Sequence, residues 1–351
     1  MTSIHFRQLR KGDEKGLSRV IGEVWGADHD GAYWDWKYHR NVSGDNMVTV
    51  ALDGDKVIGV QGYTPGRLKC GENVYFSAQN TDMAVLPEYR GVGTLLKLHA
   101  RAMEYGPQKK RALCYGFPNK TASRLAACLQ YSIVCPICNL TKVLNPIAYL
   151  EKKIGLRGSG GFAAVVFRHI VFLLTKWRYA DKNAYRIVRL DYFDERFDEF
   201  WARQQSKYPV AVVRDRGYLN WRYVECPSDY EILAVQDKHA VIRGFIVLTC
   251  SWGQGVRRGK IVDVLVEDGQ KGVAELLIKG GLHYFVKNKV DVVTCWMFDH
   301  WPLFEILRKG GFVKREVPHY LVVNSEQVDL PAEYFRDTSK WYVTMGDSDY
   351  C

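Results

Sequence analysis

The stretch that decides the fold lies between residues 82 and 96 and reads Asp82-Met83-Ala84-Val85-Leu86-Pro87-Glu88-Tyr89-Arg90-Gly91-Val92-Gly93-Thr94-Leu95-Leu96. After Asp82 its first residues are apolar, as in a buried strand, and an arginine and two glycines follow. From Gly93 to Tyr105 the apolar side chains then recur at helical spacing. The stretch is therefore predicted to run from a strand through a glycine-containing loop into a helix.

This predicted junction suits a phosphate group. The first turn of a helix exposes unpaired backbone amides and a partial positive charge, and glycine lets a ligand approach that backbone closely. Arg90 adds a fixed cation in the same loop. Taken alone, the pattern is equally typical of an ordinary strand-to-helix turn, so the surrounding elements must decide between the two interpretations.

The elements around the junction predict an α+β fold. Residues 47–52, 56–63 and 73–86 are rich in Val, Tyr, Phe and Thr and are separated by turns, which is typical of an antiparallel meander. Residues 112–117 have the composition of a further strand, and residues 121–129 have the spacing of a further helix. A meander followed by helix, strand, helix and strand is an α+β pattern.

The chain also contains an internal repeat. Trp36-Lys37-Tyr38 recurs as Trp221-Arg222-Tyr223, and the segments that follow each triplet resemble each other in the same order. Residues 117–131 and 298–312 form a further matching pair. We therefore expect two copies of one fold, with two mixed, mostly antiparallel sheets and flanking helices. The expected boundaries are 1–145 for the first copy, 146–190 for a connector and 191–351 for the second copy.

The composition excludes several classes of protein. The 351 residues are 47% apolar and 25% charged, which argues against a disordered or collagen-like chain. No apolar run reaches the ~18 residues needed to span a bilayer, and the first residues lack the apolar core of a signal peptide, so a cytoplasmic protein is expected. The nine cysteines are irregularly spaced, which argues against a disulfide framework. Cys135-Pro136-Ile137-Cys138 has no second pair to complete a zinc site, so no metal is expected.

Most of the net charge of +10 lies in the predicted connector. Residues 151–190 contain nine basic and two acidic side chains, which leaves little excess charge elsewhere, and no nucleic-acid partner is expected. Within this region, residues 162–177 are strongly apolar with a narrow basic stripe. We expect a helix buried between the two copies. The alternative is a helix that lies in a membrane surface, which would make the protein peripheral to the membrane.

With these elements around it, the junction resembles the GNAT superfamily of acyl-CoA-dependent N-acyltransferases. The resemblance lies in Pro-Glu-Tyr-Arg-Gly-Val-Gly after an apolar strand, followed by a strand that ends Gly116-Phe117-Pro118-Asn119. The resemblance implies a tandem GNAT-like fold, with acetyl-CoA or another acyl-CoA as co-substrate. In that family the arginine–glycine loop holds the pyrophosphate of CoA, and the preceding strand pairs with the pantetheine arm. Carried over to this chain, the loop is Arg90, Gly91, Val92, Gly93, Thr94 and Leu95, the strand edge is Met83, Ala84 and Val85, and Asn119 is a later contact with the arm.

Some positions depart from the family pattern. Leu95 stands where the family usually has Gly or Ala, which reshapes the loop but leaves its amides available. In the second copy the corresponding loop, residues 267–274, lacks the arginine, and His300 takes the place of Asn119. One cofactor site, in residues 1–145, is therefore expected, and the second copy is expected to help wall the substrate pocket.

Acyl transfer to an amine requires a neutral amine, a polarised carbonyl group and protonation of the thiolate that leaves. Asp82 is the nearest carboxylate on the cofactor-side strand and is the candidate catalytic base. The alternative is an aspartate at a strand end that accepts backbone hydrogen bonds. Many members of the family use a tyrosine as the acid, but the matching position here is Ala126, and Tyr115 and Tyr131 are the tyrosines nearby.

The expected function is an acyl-CoA-dependent N-acyltransferase, in the first place an acetyl-CoA-dependent N-acetyltransferase, that acts on a small amine. The tandem copies, the segment Trp34-Asp35-Trp36-Lys37-Tyr38 and the ending Gly346-Asp347-Ser348-Asp349 resemble a tandem-GNAT branch from surface-polysaccharide gene clusters. That resemblance implies a nucleotide- or lipid-linked amino sugar as the acceptor and a role in polysaccharide biosynthesis. The two aspartates of the ending are expected to be solvated, with binding of a cation or substrate as the alternative.

Two other functions stay open on the sequence. One is a FemABX-like transferase, which shares the tandem architecture but takes its acyl group from aminoacyl-tRNA. The other is a non-catalytic adaptor with the GNAT fold. The intact arginine–glycine loop at residues 90–95 favours the CoA-dependent enzyme over both.

Overall fold

The computed structural model describes residues 4–27, 29–108, 111–146, 184–253 and 255–349. The strands within these ranges are β1 His5–Gln8, β2 Met47–Asp53, β3 Lys56–Cys70, β4 Asn73–Val85, β5 Leu113–Gly116, β6 Ser132–Val143, β7 Tyr185–Leu190, β8 Val210–Val212, β9 Glu231–Asp237, β10 Ile242–Gly253, β11 Val256–Val266, β12 Val292–Trp296 and β13 Val313–Asn324. The α-helices are α1 Glu14–Trp25, α2 Gly31–Trp34, α3 Val92–Tyr105, α4 Lys120–Ser123, α5 Glu195–Gln204, α6 Arg216–Tyr223, α7 Lys271–Lys287, α8 Pro302–Lys309 and α9 Ala332–Arg336.

The predicted α+β fold with a mixed sheet and flanking helices is confirmed. The meander forms as β2, β3 and β4, paired antiparallel, and the helix after the loop is α3. The predicted helix at 121–129 is shorter than expected: α4 ends at Ser123, and the amides of Arg124, Leu125 and Ala126 donate to carbonyls three residues back. This tighter pattern shortens the α-helical part of the segment.

The strands form one continuous sheet in the order β1-β2-β3-β4-β5-β13-β6-β12-β11-β10-β9-β7, and β8 pairs with β3. The order is symmetric about the central β13–β6 pair. The first half contributes β6, which pairs with β12 of the second half, and the second half contributes β13, which pairs with β5 of the first. The two predicted sheets are therefore joined into one, because each half places its last strand beside the other half.

The predicted connector is only partly described. Residues 147–183, which include the apolar stretch 162–177, lie outside the described residues. Tyr185–Leu190, at the end of the predicted connector, forms β7 and pairs with β9 of the second half. No helix among the described residues is long and apolar enough to cross a membrane.

The repeated triplets meet at the boundary between the halves. The rings of Trp36 and Trp221 stack with their centroids 5.1 Å apart. The indole N–H of Trp36 donates to the carbonyl oxygen of Trp221 at 2.6 Å, and the indole N–H of Trp221 donates to the carbonyl oxygen of Trp36 at 3.2 Å. This reciprocal contact has the form of an approximate two-fold relation, as expected for two copies of one fold.

Candidate functional site

The first half contains an opening between two neighbouring parallel strands. β4 and β5 pair from Ser77 with Leu113 to Asn80 with Gly116, and beyond this point the two strands no longer pair. At the same place β4 carries a bulge, because Gly62 of β3 pairs with Thr81 and Val60 pairs with Ala84, and Asp82 has a φ of 49°. The bulge redirects the end of β4. The edge of Met83–Val85 that does not pair with β3 therefore faces the opening.

A cavity of about 400 Å³ lies at this opening. Its wall comes from five places in the chain, which are the α1–α2 region (Ile21, Trp25, Ala27, His29, Tyr33), the end of β4 (Asn80, Thr81, Asp82, Met83), the end of β5 (Gly116, Phe117, Pro118, Asn119), the α4 region (Ala122, Ala126, Leu129, Tyr131) and the second half (His319, Val322, Asp349). The last group confirms the prediction that the second copy helps to wall the pocket.

The predicted pyrophosphate loop lies at the N-terminus of α3. Gly91 is the N-cap residue of this helix, and no side chain caps it. A Cβ atom built on Gly91 or Gly93 would meet no other atom within 4 Å, so the backbone here is open to a ligand. Arg90 donates from Nε to the carbonyl oxygen of Val85 at 3.0 Å and forms no salt bridge with any residue that the structure describes. The arrangement offers backbone amides and a positive charge on the same side of the helix.

The unusual Leu95 is accommodated in the first turns of α3. Its side chain packs against a small apolar cluster that includes Met103 and Cys114, while its amide donates within the helix start to the carbonyl oxygen of Gly91 at 3.3 Å. The substitution therefore fills space under the helix. The backbone amides of residues 91–93, at the N-terminus of the helix, are not involved in this packing of the Leu95 side chain.

Asn119 lies at the opening but has a structural role there as well. Its side-chain oxygen accepts hydrogen bonds from the amides of Thr121 at 3.0 Å and Ala122 at 2.9 Å, so that it caps α4. Asparagine is a favoured residue at this position of a helix. The asparagine that the family resemblance assigned to CoA contact thus also fixes the start of α4 in the cavity wall.

Asp82 belongs to a charged cluster in the cavity wall. The ammonium group of Lys37 lies 2.5 Å from one carboxylate oxygen of Asp82 and 3.5 Å from one of Asp349, and the hydroxyl of Tyr38 donates to Asp82. Lys37 is buried, with 3% of its side chain exposed. Although burial opposes the charge, the two aspartates hold the pKa of Lys37 well above its usual value. Asp82 therefore accepts side-chain donors, in contrast to the backbone donors that one interpretation of the sequence expected.

Asp349 was expected to lie in a solvated tail, and this prediction is wrong. Its side chain is 26% exposed and lines the cavity beside Lys37. Burial and the neighbouring charge of Asp82 raise the pKa of Asp349, although Lys37 opposes this shift. The cluster holds two carboxylates and one ammonium, which is a net negative site when both carboxylates are ionised.

The second half contains a closed version of the same cluster. Tyr223, the counterpart of Tyr38, donates to Asp263 at 2.9 Å, as Tyr38 donates to Asp82. Here the guanidinium of Arg214 lies between Asp263 and Asp347, at 3.0 and 2.8 Å, and all three side chains are at least 97% buried. Asp347 is thus part of an internal ion pair, which also contradicts the expected solvated tail.

Of the two tyrosines proposed as substitutes for the missing acid, Tyr131 lines the cavity and Tyr115 does not. The hydroxyl of Tyr131 accepts a hydrogen bond from the side-chain amide of Asn80 at 3.3 Å and donates to the hydroxyl of Tyr63 at 3.4 Å. Burial raises the pKa of Tyr131 well above its usual value, so the phenol carries its proton at neutral pH.

The sequence pointed to the loop and to Asp82, offered Asp349 only as an alternative binding residue, and did not single out Lys37. A signal for Lys37 was present, because it lies in the repeated triplet and its counterpart is the basic residue Arg222. The position of Asp349 in the cavity could not be read from a local pattern, since it reaches the cavity only through the folding of the second half. Within the described residues, no group of three or more His, Cys, Asp or Glu side chains is placed to hold a metal ion.

Comparison with known proteins gives a family match and several structural matches. Residues 5–125 match the family model "Acetyltransferase (GNAT) domain". No curated protein matches the sequence. Among solved structures, the chain is similar to a probable N-acyltransferase from Enterococcus faecalis (12% identity, 93% of this chain and 74% of that chain, TM-score 0.63). It is also similar to N-myristoyltransferase of Saccharomyces cerevisiae with bound myristoyl-CoA (12% identity, 93% and 79%, TM-score 0.64).

A GCN5-related N-acetyltransferase from Anabaena variabilis is a third similar structure (13% identity, 91% of this chain and 72% of that chain, TM-score 0.58). At these identities the structural similarity establishes the fold, while the sequence match covers the residues that form the opening and the loop at Arg90. Residues 5–125 therefore match a GNAT acetyltransferase domain, and the chain as a whole shares its fold with N-acyltransferases of known structure.

Proposed function

We propose that this protein transfers an acyl group from acyl-CoA to the nitrogen of a small amine. The single observation that carries the proposal is the opening between β4 and β5, which holds a cavity with carboxylates in its wall and is formed by the same strand, β4, that leads into the phosphate-suited loop at residues 90–95. A thioester held along this opening would present its carbonyl group to an amine in the cavity. The proposed acyl donor is acetyl-CoA, and longer acyl-CoA molecules are the alternative.

The residues divide into three proposed roles. Arg90 and the amides of residues 91–93, at the start of the 90–95 loop, hold the pyrophosphate, because a helix N-terminus and a fixed cation both favour an anion. The backbone edge of Met83, Ala84 and Val85, together with Asn119, holds the pantetheine arm. A carboxylate of the cavity takes a proton from the amine; the sequence predicts Asp82 for this step, and the structure adds Asp349 beside it.

The acceptor that we propose is an amino sugar, linked to a nucleotide or a lipid and used in surface-glycan synthesis. This part rests on the resemblance of the sequence to a branch of tandem GNAT proteins. The cavity is compatible with it, because aromatic side chains and carboxylates line one region and offer contacts to a sugar ring and an amine. We place the reaction in the cytoplasm, where acyl-CoA is available, with contact to a membrane surface through residues 162–177 as a further possibility for a lipid-linked acceptor.

Acetyl-CoA is expected to raise the melting temperature, and Arg90→Ala is expected to abolish the shift. A ligand that binds only the folded state, present at a hundred times its Kd, adds about 2.7 kcal/mol to the free energy of unfolding. Differential scanning fluorimetry with acetyl-CoA, myristoyl-CoA and bulk tRNA checks this and compares the donors. A shift with tRNA but none with either CoA ester would contradict the proposal and support the FemABX-like alternative, and no shift with any of them would support the adaptor.

The second half is expected to bind no CoA. Its loop places Glu267 and Asp268 at the start of α7, where they pair with Arg243 and Lys207, and acidic groups there repel a phosphate. Arg90→Ala and Asn119→Ala should therefore weaken acetyl-CoA binding, while Gln270→Ala and His300→Ala should leave its Kd unchanged within about twofold. Isothermal titration with acetyl-CoA measures both pairs. Equal losses from the two pairs would contradict the model of a single site.

A further inference from the structure

The end of the second half reaches into the cavity of the first half, and this placement has a catalytic consequence. We infer that Asp349 is the catalytic residue that takes the proton from the ammonium group of the acceptor, and that Lys37 is the residue that positions it. The inference rests on the proposed N-acyltransferase function and deepens it, because it assigns the proton acceptor to the tail of the second half.

The tail that carries Asp349 is held at two preceding points. Arg214 binds both carboxylate oxygens of Asp347 at 2.8 and 2.9 Å. Arg222 donates to the backbone carbonyl oxygens of Gly346 at 3.3 Å and of Ser348 at 3.1 Å. Because the backbone is fixed immediately before it, Asp349 is presented to the first half in a defined place.

At that place Asp349 is the more available of the two carboxylates. One oxygen of Asp82 already receives both the ammonium of Lys37 at 2.5 Å and the hydroxyl of Tyr38, and 12% of its side chain is exposed. Asp349 has the longer contact to Lys37, at 3.5 Å, and 26% of its side chain is exposed in the cavity wall. Asp82 therefore keeps Lys37 in place, and Asp349 is free to receive a second cation.

The charges also favour an ammonium ligand. Lys37 balances one of the two carboxylates, which leaves one negative charge at the cavity for an acceptor that arrives as R–NH₃⁺. Burial and the charge of Asp82 raise the pKa of Asp349, which makes it a stronger base than an exposed aspartate. The closed cluster of the second half cannot act in this way, because Arg214 binds both of its carboxylates and shields them from solvent.

Asp349 takes one proton from R–NH₃⁺, and the lone pair of the neutral amine forms the C–N bond at the thioester carbonyl carbon. The C–S bond then breaks, and its electron pair leaves with sulfur as the thiolate of CoA. The hydroxyl of Tyr131, which lines the cavity, gives its proton to this thiolate and takes the remaining excess proton from the nitrogen in return. The products are the amide and CoA, and Asp349 later releases its proton to water.

The test compares two acceptors with acetyl-CoA as donor. Just below neutral pH, glucosamine carries its amine largely as ammonium and needs a base, whereas hydroxylamine, a weaker base, is largely neutral. Asp349→Asn is expected to lower kcat/KM for glucosamine about a hundredfold or more, the range of general base catalysis, and to lower that for hydroxylamine less than tenfold. The loss with glucosamine should shrink as the pH rises and the free amine accumulates.

Four matched variants accompany this test. Asp349→Glu keeps a carboxylate and should retain part of the activity with glucosamine. Asp55→Asn removes an exposed aspartate in the β2–β3 turn and should change nothing. Lys37→Arg keeps the positioning cation and should preserve the pH profile, while Lys37→Met should move the profile to higher pH, because a carboxylate without its cation holds its proton more strongly.

Two results would overturn the inference. One is full activity of Asp349→Asn with glucosamine, or an equal loss with both acceptors, since equal loss indicates a structural or binding role. The other applies even if neither amine is turned over. The carboxyl ¹³C resonance of Asp349, assigned by comparison with Asp349→Asn, should titrate above the ordinary aspartate pKa of about 3.9. A pKa at or below that value excludes the role of Asp349 as the base. Failure of the proposed function would instead be seen as the absence of a melting shift with acetyl-CoA in the wild type.

Discussion

Arg214→Met is expected to destabilise the protein by about 3–5 kcal/mol, the cost of leaving a buried carboxylate without its partner. The guanidinium of Arg214 is fully buried and binds Asp263, Asp347 and the carbonyl oxygen of Val212. Burial opposes its charge, but the two aspartates raise its pKa further, so it is a cation at every accessible pH. Without it, two carboxylates face each other in the interior of the second half.

Chemical denaturation with urea measures the loss, and a surface arginine supplies the control. Arg216 lies two residues away and pairs with Asp198 at 3.0 Å while half exposed, so Arg216→Met is expected to cost less than about 1 kcal/mol. Adding Asp347→Asn to Arg214→Met should recover part of the stability, because it removes one of the unpaired charges. Equal stabilities for Arg214→Met and Arg216→Met would show that the internal ion pair does not hold the tail in place.

Acidification from pH 7 to pH 4 is expected to cost the wild type about 3 kcal/mol more than it costs His99→Gln. His99 lies on the buried face of α3, with its Nδ1 3.3 Å from the hydroxyl of Tyr63, and burial lowers its pKa from 6.5 to about 4. The folded state therefore binds a proton less readily than the unfolded chain. The stabilising contribution is complete above pH 6.5 and is lost as the pH falls towards 4.

Urea unfolding at a series of pH values, for both proteins, measures this difference. Glutamine keeps a polar side chain beside Tyr63 and cannot titrate. All other titratable groups therefore contribute equally to the pH dependence of stability in both proteins. A gap between the two stabilities that stays constant over this pH range would mean that His99 is not the buried, neutral group the structure shows. Because α3 carries the loop at Arg90, loss of acetyl-CoA binding in acid is expected to follow the same titration.

The two halves carry matching clusters but differ in the space around them. In both halves a tyrosine of the repeated triplet donates to an aspartate of a later strand, Tyr38 to Asp82 of β4 and Tyr223 to Asp263 of β11. In the second half the tail from Thr344 to Asp347 and the side chain of Arg214 fill the space beside that aspartate. In the first half the corresponding space is the cavity, and the tail enters it only with Asp349. The duplicated fold thus has an open cavity in the first half and a filled counterpart in the second.

Local sequence predicted the elements of the first half well because their patterns are short-range. The meander, the loop at Arg90 and α3 follow from composition and periodicity over ten to fifteen residues, and β2, β3, β4 and α3 lie where expected. The helix after Asn119 was less predictable. Its turns tighten after Ser123, in a segment packed between the sheet and the cavity, and periodicity alone does not report such packing.

The repeat, the strand-to-helix loop with Arg90 and the candidate carboxylate Asp82 were determined by the sequence itself. Each is a local pattern, or a comparison of two local patterns, and local patterns fix which residue types stand at a turn, a strand end or a helix start. Only the tertiary structure decided three further features. These are the pairing of β6 and β13 with strands of the opposite half, the ion pair of Lys37 with Asp82, and the position of Asp349 in the cavity. These contacts join residues that are 45 to 312 positions apart. Their formation depends on the summed burial and charge pairing of the whole fold, which no local stretch of sequence contains.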